Sequence, residues 1–258
     1  MNRIDWRGGL SAAGILAAGI LVAAVLGCVA VRAADPNALW RIVHDRCVVD
    51  QTQHGVPAPC AEVSLAGGWV VLKDRRGIAQ FLLIPTARVT GIEDRAVLGP
   101  DAPNYFSAAW AARGRVEADL PHPVPRDALS LAINSPYGRS QNQLHIHIDC
   151  LRPDVRAALR KAAGGVGADW AKLPGGLRGH AYVARWLNEA DLTANPFRLL
   201  ADWPGVGPDG LRPWTIVVAA MPHGFILLAD HADPKSGDGA EGEELQDHRC
   251  LLADEAAG

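Results

Sequence analysis

Residues 133–150 read INSPYGRSQNQLHIHIDC, and their second half alternates Gln143, His145, His147 and Asp149 with Leu144, Ile146 and Ile148. Successive side chains on a β-strand point to opposite faces, so this pattern predicts a strand whose aliphatic face packs on a core. Its other face gathers two imidazoles and a carboxylate. A lone histidine there would read as part of a solvated face. Two with Asp149, behind a Gly-Arg-Ser-Gln-Asn loop, point to a functional site. On these residues alone, metal binding, base catalysis and nucleophilic catalysis all stay open.

Working outward, ALSLAINS (128–135) reads as the antiparallel partner of this strand. GWVVLKD (68–74) and AQFLLIP (79–85) form a hairpin across Arg-Arg-Gly, and PWTIVVAAM (213–221) with GFILLAD (224–230) forms another across Pro-His-Gly. Helices are expected over 36–48, 103–118, 152–163 with Pro153 in its first turn, and 179–192. Residues 233–244, DPKSGDGAEGEE, read as a mobile polar loop. The order predicts an α+β fold, an antiparallel sheet with helices to one side.

The 258 residues carry 25 Lys+Arg against 28 Asp+Glu, so no global basic field calls for a nucleic-acid partner. Residues 10–31, LSAAGILAAGILVAAVLGCVAV, hold no charge over 22 positions, enough for one transmembrane helix. Residues 1–33 are therefore read as a membrane anchor, with 34–258 as the catalytic domain facing the periplasm from a bacterial inner membrane. Two rival readings are signal-peptide cleavage after Ala33 and a lipoprotein box around Cys28. All three export the rest of the chain. The remaining cysteines, Cys47, Cys60, Cys150 and Cys250, lack zinc-site spacing and suit two disulfides in that compartment. Of three pairings, the reading taken is Cys47–Cys60 with Cys150–Cys250.

The motif resembles the histidine-triad superfamily of nucleotide hydrolases and transferases, whose pattern is an Asn, a loop with a Gln, then His-φ-His-φ-His, φ being hydrophobic. Asn134, Ser140, Gln141, His145 and His147 match in register, over roughly residues 40–160; Asp149 stands where a third histidine would. With the apolar segment, the cysteines, AINSPYGRSQNQLHIHIDCLRPDVR and LPGGLRGHAYVAR, the chain is more similar still to one branch, the bacterial CDP-diacylglycerol pyrophosphatases. That likeness spans nearly the whole chain and makes 161–258 an extension belonging to the family.

The resemblance implies hydrolysis of CDP-diacylglycerol in the membrane to CMP and phosphatidate; separately, no cofactor and no metal are expected, since no zinc-site spacing is present. By register His147 is the nucleophile and His145 orients it or the phosphate. Asn134, Ser140, Gln141 and Asp149 line the phosphoryl group, and Arg139, Lys73 and Arg88 are candidate cations for the diphosphate that otherwise read as solvated surface charges. A departing phosphate monoester leaves as an anion and needs little protonation, which suits Asp149 in place of a histidine. His44, His54, His122 and His231 read as surface residues, whereas His180, after the Gly-rich run GGLRG, reads either as a ligand contact or as a capping histidine in a connector. Two rival readings are a binding module without turnover and a metal hydrolase using His145, His147 and Asp149.

Overall fold

In the computed structural model, the described residues are 35–255. The apolar stretch 10–31 lies outside them, and within them no helix is long and apolar enough to cross a membrane.

The first helical segment is α1 (Ala38–Ile42), a π-helical turn (Val43–Cys47) and α2 (Val48–His54), closed by Gly55 at φ 68°. Strands β1 (Glu62–Ser64), β2 (Trp69–Lys73) and β3 (Phe81–Pro85) form a meander. The helix expected over 103–118 is two, α3 (Tyr105–Ala111) and α4 (Gly114–Asp119), parted at Ala112–Arg113. Next come β4 (Leu129–Ile133), β5 (Ile146–Cys150) and α5 (Pro153–Ala162), which has its proline in the first turn. β6 (Ala171–Lys172), β7 (Val183–Leu187), α6 (Pro196–Ala201), β8 (Trp214–Ala220), β9 (Phe225–His231) and α7 (Leu251–Glu255) complete the chain.

Among the described residues, nine strands make one antiparallel sheet in the order β1-β2-β3-β5-β4-β8-β9-β7-β6. The histidine strand thus sits in its interior, paired on both sides. The expected helix over 179–192 is corrected to a strand. Five residues of mixed period do not decide between the two, and β7 forms because β9 offers an open edge, along which Val183–Leu187 pair with Phe225–Ala229.

Helices lie on both faces of the sheet, not on one. Odd and even residues of the inner strands are both apolar, so each face requires cover. On one face Leu83, Leu131, Ile146, Ile148 and Val218 pack with Phe106 and Trp110 of α3 and Phe197 of α6. On the other, Val70, Leu72, Leu82 and Ile84 pack under the N-terminal helical segment. On that face but farther along, Ala132, Val217 and Leu228 pack under Val155 and Leu159 of α5. Between these two apolar clusters runs a buried polar strip.

Both disulfides form, Cys47–Cys60 and Cys150–Cys250. The first joins the helical segment to the approach to β1. The second ties the last helix to the end of the histidine strand.

Candidate active site

The polar strip comes from the alternation that opened the sequence. Ile146, Ile148 and Cys150 enter the large core, while His145, His147 and Asp149 face the other way. Small neighbours leave room for them: Ala132 stands opposite His147, and Ser130 opposite Asp149. Asn134, just past β4, points into the same strip and is buried.

Segment 233–248 covers the strip. It is stitched down by hydrogen-bonded turns: Ser135 Oγ donates to the Gly239 carbonyl (2.6 Å), and Gly242 N–H donates to Thr215 Oγ1 (3.0 Å). Gln246 Nε2 donates to Ser130 Oγ at 3.1 Å beneath the histidines. The 3₁₀ turn Gly242–Leu245 then points Glu243 at the imidazoles.

Glu243 is the focus of the site. Its carboxylate lies 3.2 Å from Asn134 Nδ2 and 3.4 Å from Gln80 Nε2. It is 3.3 Å from His248 Nε2 and 3.5 Å from His147 Nε2. Asn134 closes the loop by accepting from Glu243 N–H at 3.1 Å. Burial alone would raise the Glu243 carboxyl, yet the His248 hydrogen bond and the facing imidazoles outweigh it and hold it well below its usual range.

The two histidines, His145 just before β5 and His147 within it, differ. His145 Nδ1 lies 2.7 Å from the Gln143 carbonyl, which can only accept, so the proton sits on Nδ1 and the Nε2 lone pair is free. His147 Nδ1 lies 2.7 Å from the Gln80 side-chain amide. That amide can turn over, so the His147 tautomer follows its orientation. Burial lowers the pKa of His145 and takes that of His147 down to about 4. Both rings are therefore neutral at pH 7, as a nitrogen nucleophile must be.

His248 is the opposite case. Its Nδ1 meets Asp149 Oδ2 at 2.7 Å, and that hydrogen bond, followed by the one to Glu243, lifts its pKa to about 10. Burial raises the Asp149 carboxyl, while His248 and the Cys150 N–H (2.8 Å) pull it back. An imidazolium thus stands against the residue that occupies the third position of the motif.

Among the described residues, none of Arg139, Ser140, Gln141, Lys73 and Arg88 hydrogen-bonds Glu243, His145 or His147. Arg139 makes a bidentate pair with Glu93, both contacts at 2.6 Å, and its side chain is 8% exposed. It is therefore no free cation for a diphosphate. Gln141 Oε1 accepts from Leu39 N–H (3.1 Å), and its Nε2 donates to the Asp35 carbonyl (3.0 Å), so it clamps the first helix. Ser140 is exposed. Lys73 bonds the Asp74 and Gly77 carbonyls, and Arg88 bonds Asn37 over the Trp40 ring. His44, His54, His122 and His231 are exposed.

Sequence reasoning missed Gln80, Glu243 and His248. Gln80 had one local signal, a polar residue leading an otherwise apolar strand. Glu243 and His248 sit in a polar turn-rich tail, and only the Cys150–Cys250 link hinted that this tail returns to β5.

A family model for CDP-diacylglycerol pyrophosphatase matches residues 34–254. A CDP-diacylglycerol pyrophosphatase of Yersinia pestis is 42% identical over 224 residues, covering 86% of this chain and 87% of that one. Among solved structures, a DUF4931 family protein from Bacillus cereus aligns over 77% of this chain and 98% of its own, at 12% identity and a TM-score of 0.45.

Proposed function

The chain belongs to the CDP-diacylglycerol pyrophosphatase family, and from that premise we propose how its buried polar strip cleaves the diphosphate of CDP-diacylglycerol. Family membership sets aside the reading of a binding module without turnover. The products are CMP and phosphatidate.

One observation carries the mechanism: the Glu243 carboxylate rests among Asn134, Gln80, His147 and His248, at 3.2–3.5 Å from each. Such a ring of polar groups suits an oxyanion. The cytidylyl phosphoryl group takes this place, and the Glu243 side chain swings aside, since two anions do not share the cradle. Substrate binding selects the His147 tautomer with Nδ1–H donated to the turned-over Gln80 amide, which frees the Nε2 lone pair.

Nε2 of His147 attacks the cytidylyl phosphorus. The anhydride P–O bond breaks, and its electron pair leaves with phosphatidate. His248, held by Asp149, lends positive charge and a hydrogen bond to that departing anion. It does from the C-terminal extension what a third histidine does in the histidine-triad pattern, a fold likeness that belongs to this proposal. Water then attacks the cytidylyl-histidine, breaks the N–P bond, loses a proton to solvent and releases CMP. His145 stacks edge-on against His147 at 5.0 Å between ring centroids and keeps it in place. Asn134 Nδ2, which donates to the Glu243 carboxylate at 3.2 Å, turns to an equatorial oxygen, while the turned-over Gln80 amide holds the His147 ring.

A liponucleotide keeps its acyl chains in a bilayer, so residues 1–33 as an anchor would confine enzyme and scissile bond to one thin layer. We propose this arrangement with the domain in the periplasm.

The test uses full-length protein and cytidine-labelled CDP-diacylglycerol in mixed micelles with EDTA. Wild type should release CMP under chelation, and His147→Ala should lose turnover by several orders of magnitude. CMP release abolished by EDTA and restored by a metal would favour the metal hydrolase reading.

A further inference from the structure

A second cluster of ionisable groups lies on the far side of the turn that carries Glu243. His180 follows Gly179, which is at φ 93°, in the connector before β7. Asp230 lies near the end of β9, and Asp238 in the segment that leads to the covering turn. Glu244 and Tyr182 complete the group.

The geometry sorts these residues. His180 Nδ1 is 2.7 Å from Asp238 Oδ2 and 3.6 Å from Asp230 Oδ2. One ligand atom from each of the three residues falls within 4.8 Å of those of the other two. On the opposite side of the ring, His180 Nε2 is 3.4 Å from Glu244 Oε2, and Glu244 Oε1 accepts from Tyr182 O–H at 2.9 Å. Asp238 Oδ1 accepts from Ala240 N–H at 2.8 Å, which leaves Oδ2 aimed inward.

Asp230 has no such satisfaction. Its side chain is 4% exposed, and Oδ2 has no hydrogen-bond partner among the described residues. A single Nδ1 proton on His180 already goes to Asp238. A buried carboxylate oxygen facing a second carboxylate, with no donor of its own, is a place where a bound cation would be stabilised.

We propose that His180 Nδ1, Asp230 Oδ2 and Asp238 Oδ2 bind one divalent transition-metal cation of the Mn²⁺ or Zn²⁺ class. One imidazole with two carboxylates is a borderline donor set, suited to these ions better than to Ca²⁺, which takes six to eight oxygens. Glu244 is the outer carboxylate that receives the other ring N–H and fixes the tautomer, the usual partner of a metal-bound histidine. Bond lengths of about 2.0–2.2 Å require the three donor atoms to settle roughly 3–3.5 Å apart. Small side-chain rotations achieve that. The site is separate from the phosphoryl cradle and acts on the fold: Glu243 faces one and Glu244 the other, so a bound cation would brace the turn between them.

The experiment uses full-length protein in detergent micelles, purified without a polyhistidine tag and stripped with EDTA. Mn²⁺ is titrated and free ion followed by electron paramagnetic resonance, and Zn²⁺ is added in a thermal melt. Wild type should take up one equivalent of Mn²⁺ and melt at a higher temperature with Zn²⁺. Asp230→Asn should weaken Mn²⁺ binding at least tenfold and abolish the Zn²⁺ shift. If Asp230→Asn does not fold, His180→Gln, at a partly exposed position, decides by the same readouts. Wild type that leaves all Mn²⁺ free and shows no Zn²⁺ shift overturns the site, as does a folded variant that binds as wild type does.

Discussion

Asp149 and His248 are separated by 99 positions in sequence, yet Oδ2 of one meets Nδ1 of the other at 2.7 Å. The pair joins the third position of the histidine motif to the C-terminal segment. It explains how a carboxylate can stand at that position while the site still holds a cation. Much of the mechanism depends on this long-range contact.

His248→Gln should therefore lower kcat by roughly 10²-fold, the scale of one lost charge-stabilising donor, while KM moves less. Stability should show the same link. Because folding raises the His248 pKa from its ordinary 6.5 to about 10, its contribution is complete below pH 6.5 and lost as pH rises through 10. Thermal melts from pH 7 to 10.5 should thus fall more steeply for wild type than for His248→Gln. Parallel curves would deny the ion pair.

The acid limb of kcat/KM tests the neutral nucleophile. With the His147 pKa at about 4, the free enzyme should stay active as pH falls from 7 to 5 and lose activity only near 4. An acid limb at the ordinary histidine value would mean that the attacking ring is solvated.

Glu243 occupies the cradle as an internal competitor. Glu243→Gln should lower KM by roughly tenfold, about 1.4 kcal/mol, with kcat changed only a few-fold. A collapse of kcat at unchanged KM would instead make Glu243 a proton acceptor in the chemistry.

Much of the fold could be read from alternation. The hairpins 68–85 and 213–230 and the β4–β5 pair all formed as the period-2 pattern predicts. The cysteines pair as expected, Cys47 with Cys60 and Cys150 with Cys250, although alternation says nothing of that choice among three. β7 was misread because a short mixed segment adopts whichever state its neighbour completes, and here the neighbour was the open edge of β9. In the site, the half carried by β5 and Asn134 was legible, since strand geometry alone puts those side chains on one face. The half carried by Gln80, Glu243 and His248 was not, because tertiary return of the tail, with no periodicity of its own, creates it. Arg139 and Gln141 had the right chemistry for phosphate, but Glu93 and the first helix claim them.

The Cys150–Cys250 bridge anchors that tail two residues beyond His248. Replacing both cysteines with alanine should cost kcat roughly ten- to a hundred-fold through loss of positioning, in addition to its effect on stability. Kinetics measured well below the variant's melting temperature separate the two. Unchanged kcat there would show that the hydrogen bonds of Gln246 and His248 suffice.

The central claim is that His147 carries the cytidylyl group. Wild type mixed with cytidine-labelled CDP-diacylglycerol, quenched within a turnover and digested, should yield an acid-labile label on the peptide containing residues 140–150, with fragmentation placing it on His147. His147→Ala should give no label. Label on His145, whose Nε2 lone pair is already free, would make that residue the nucleophile, and absence of any label with wild-type turnover intact would contradict the covalent route.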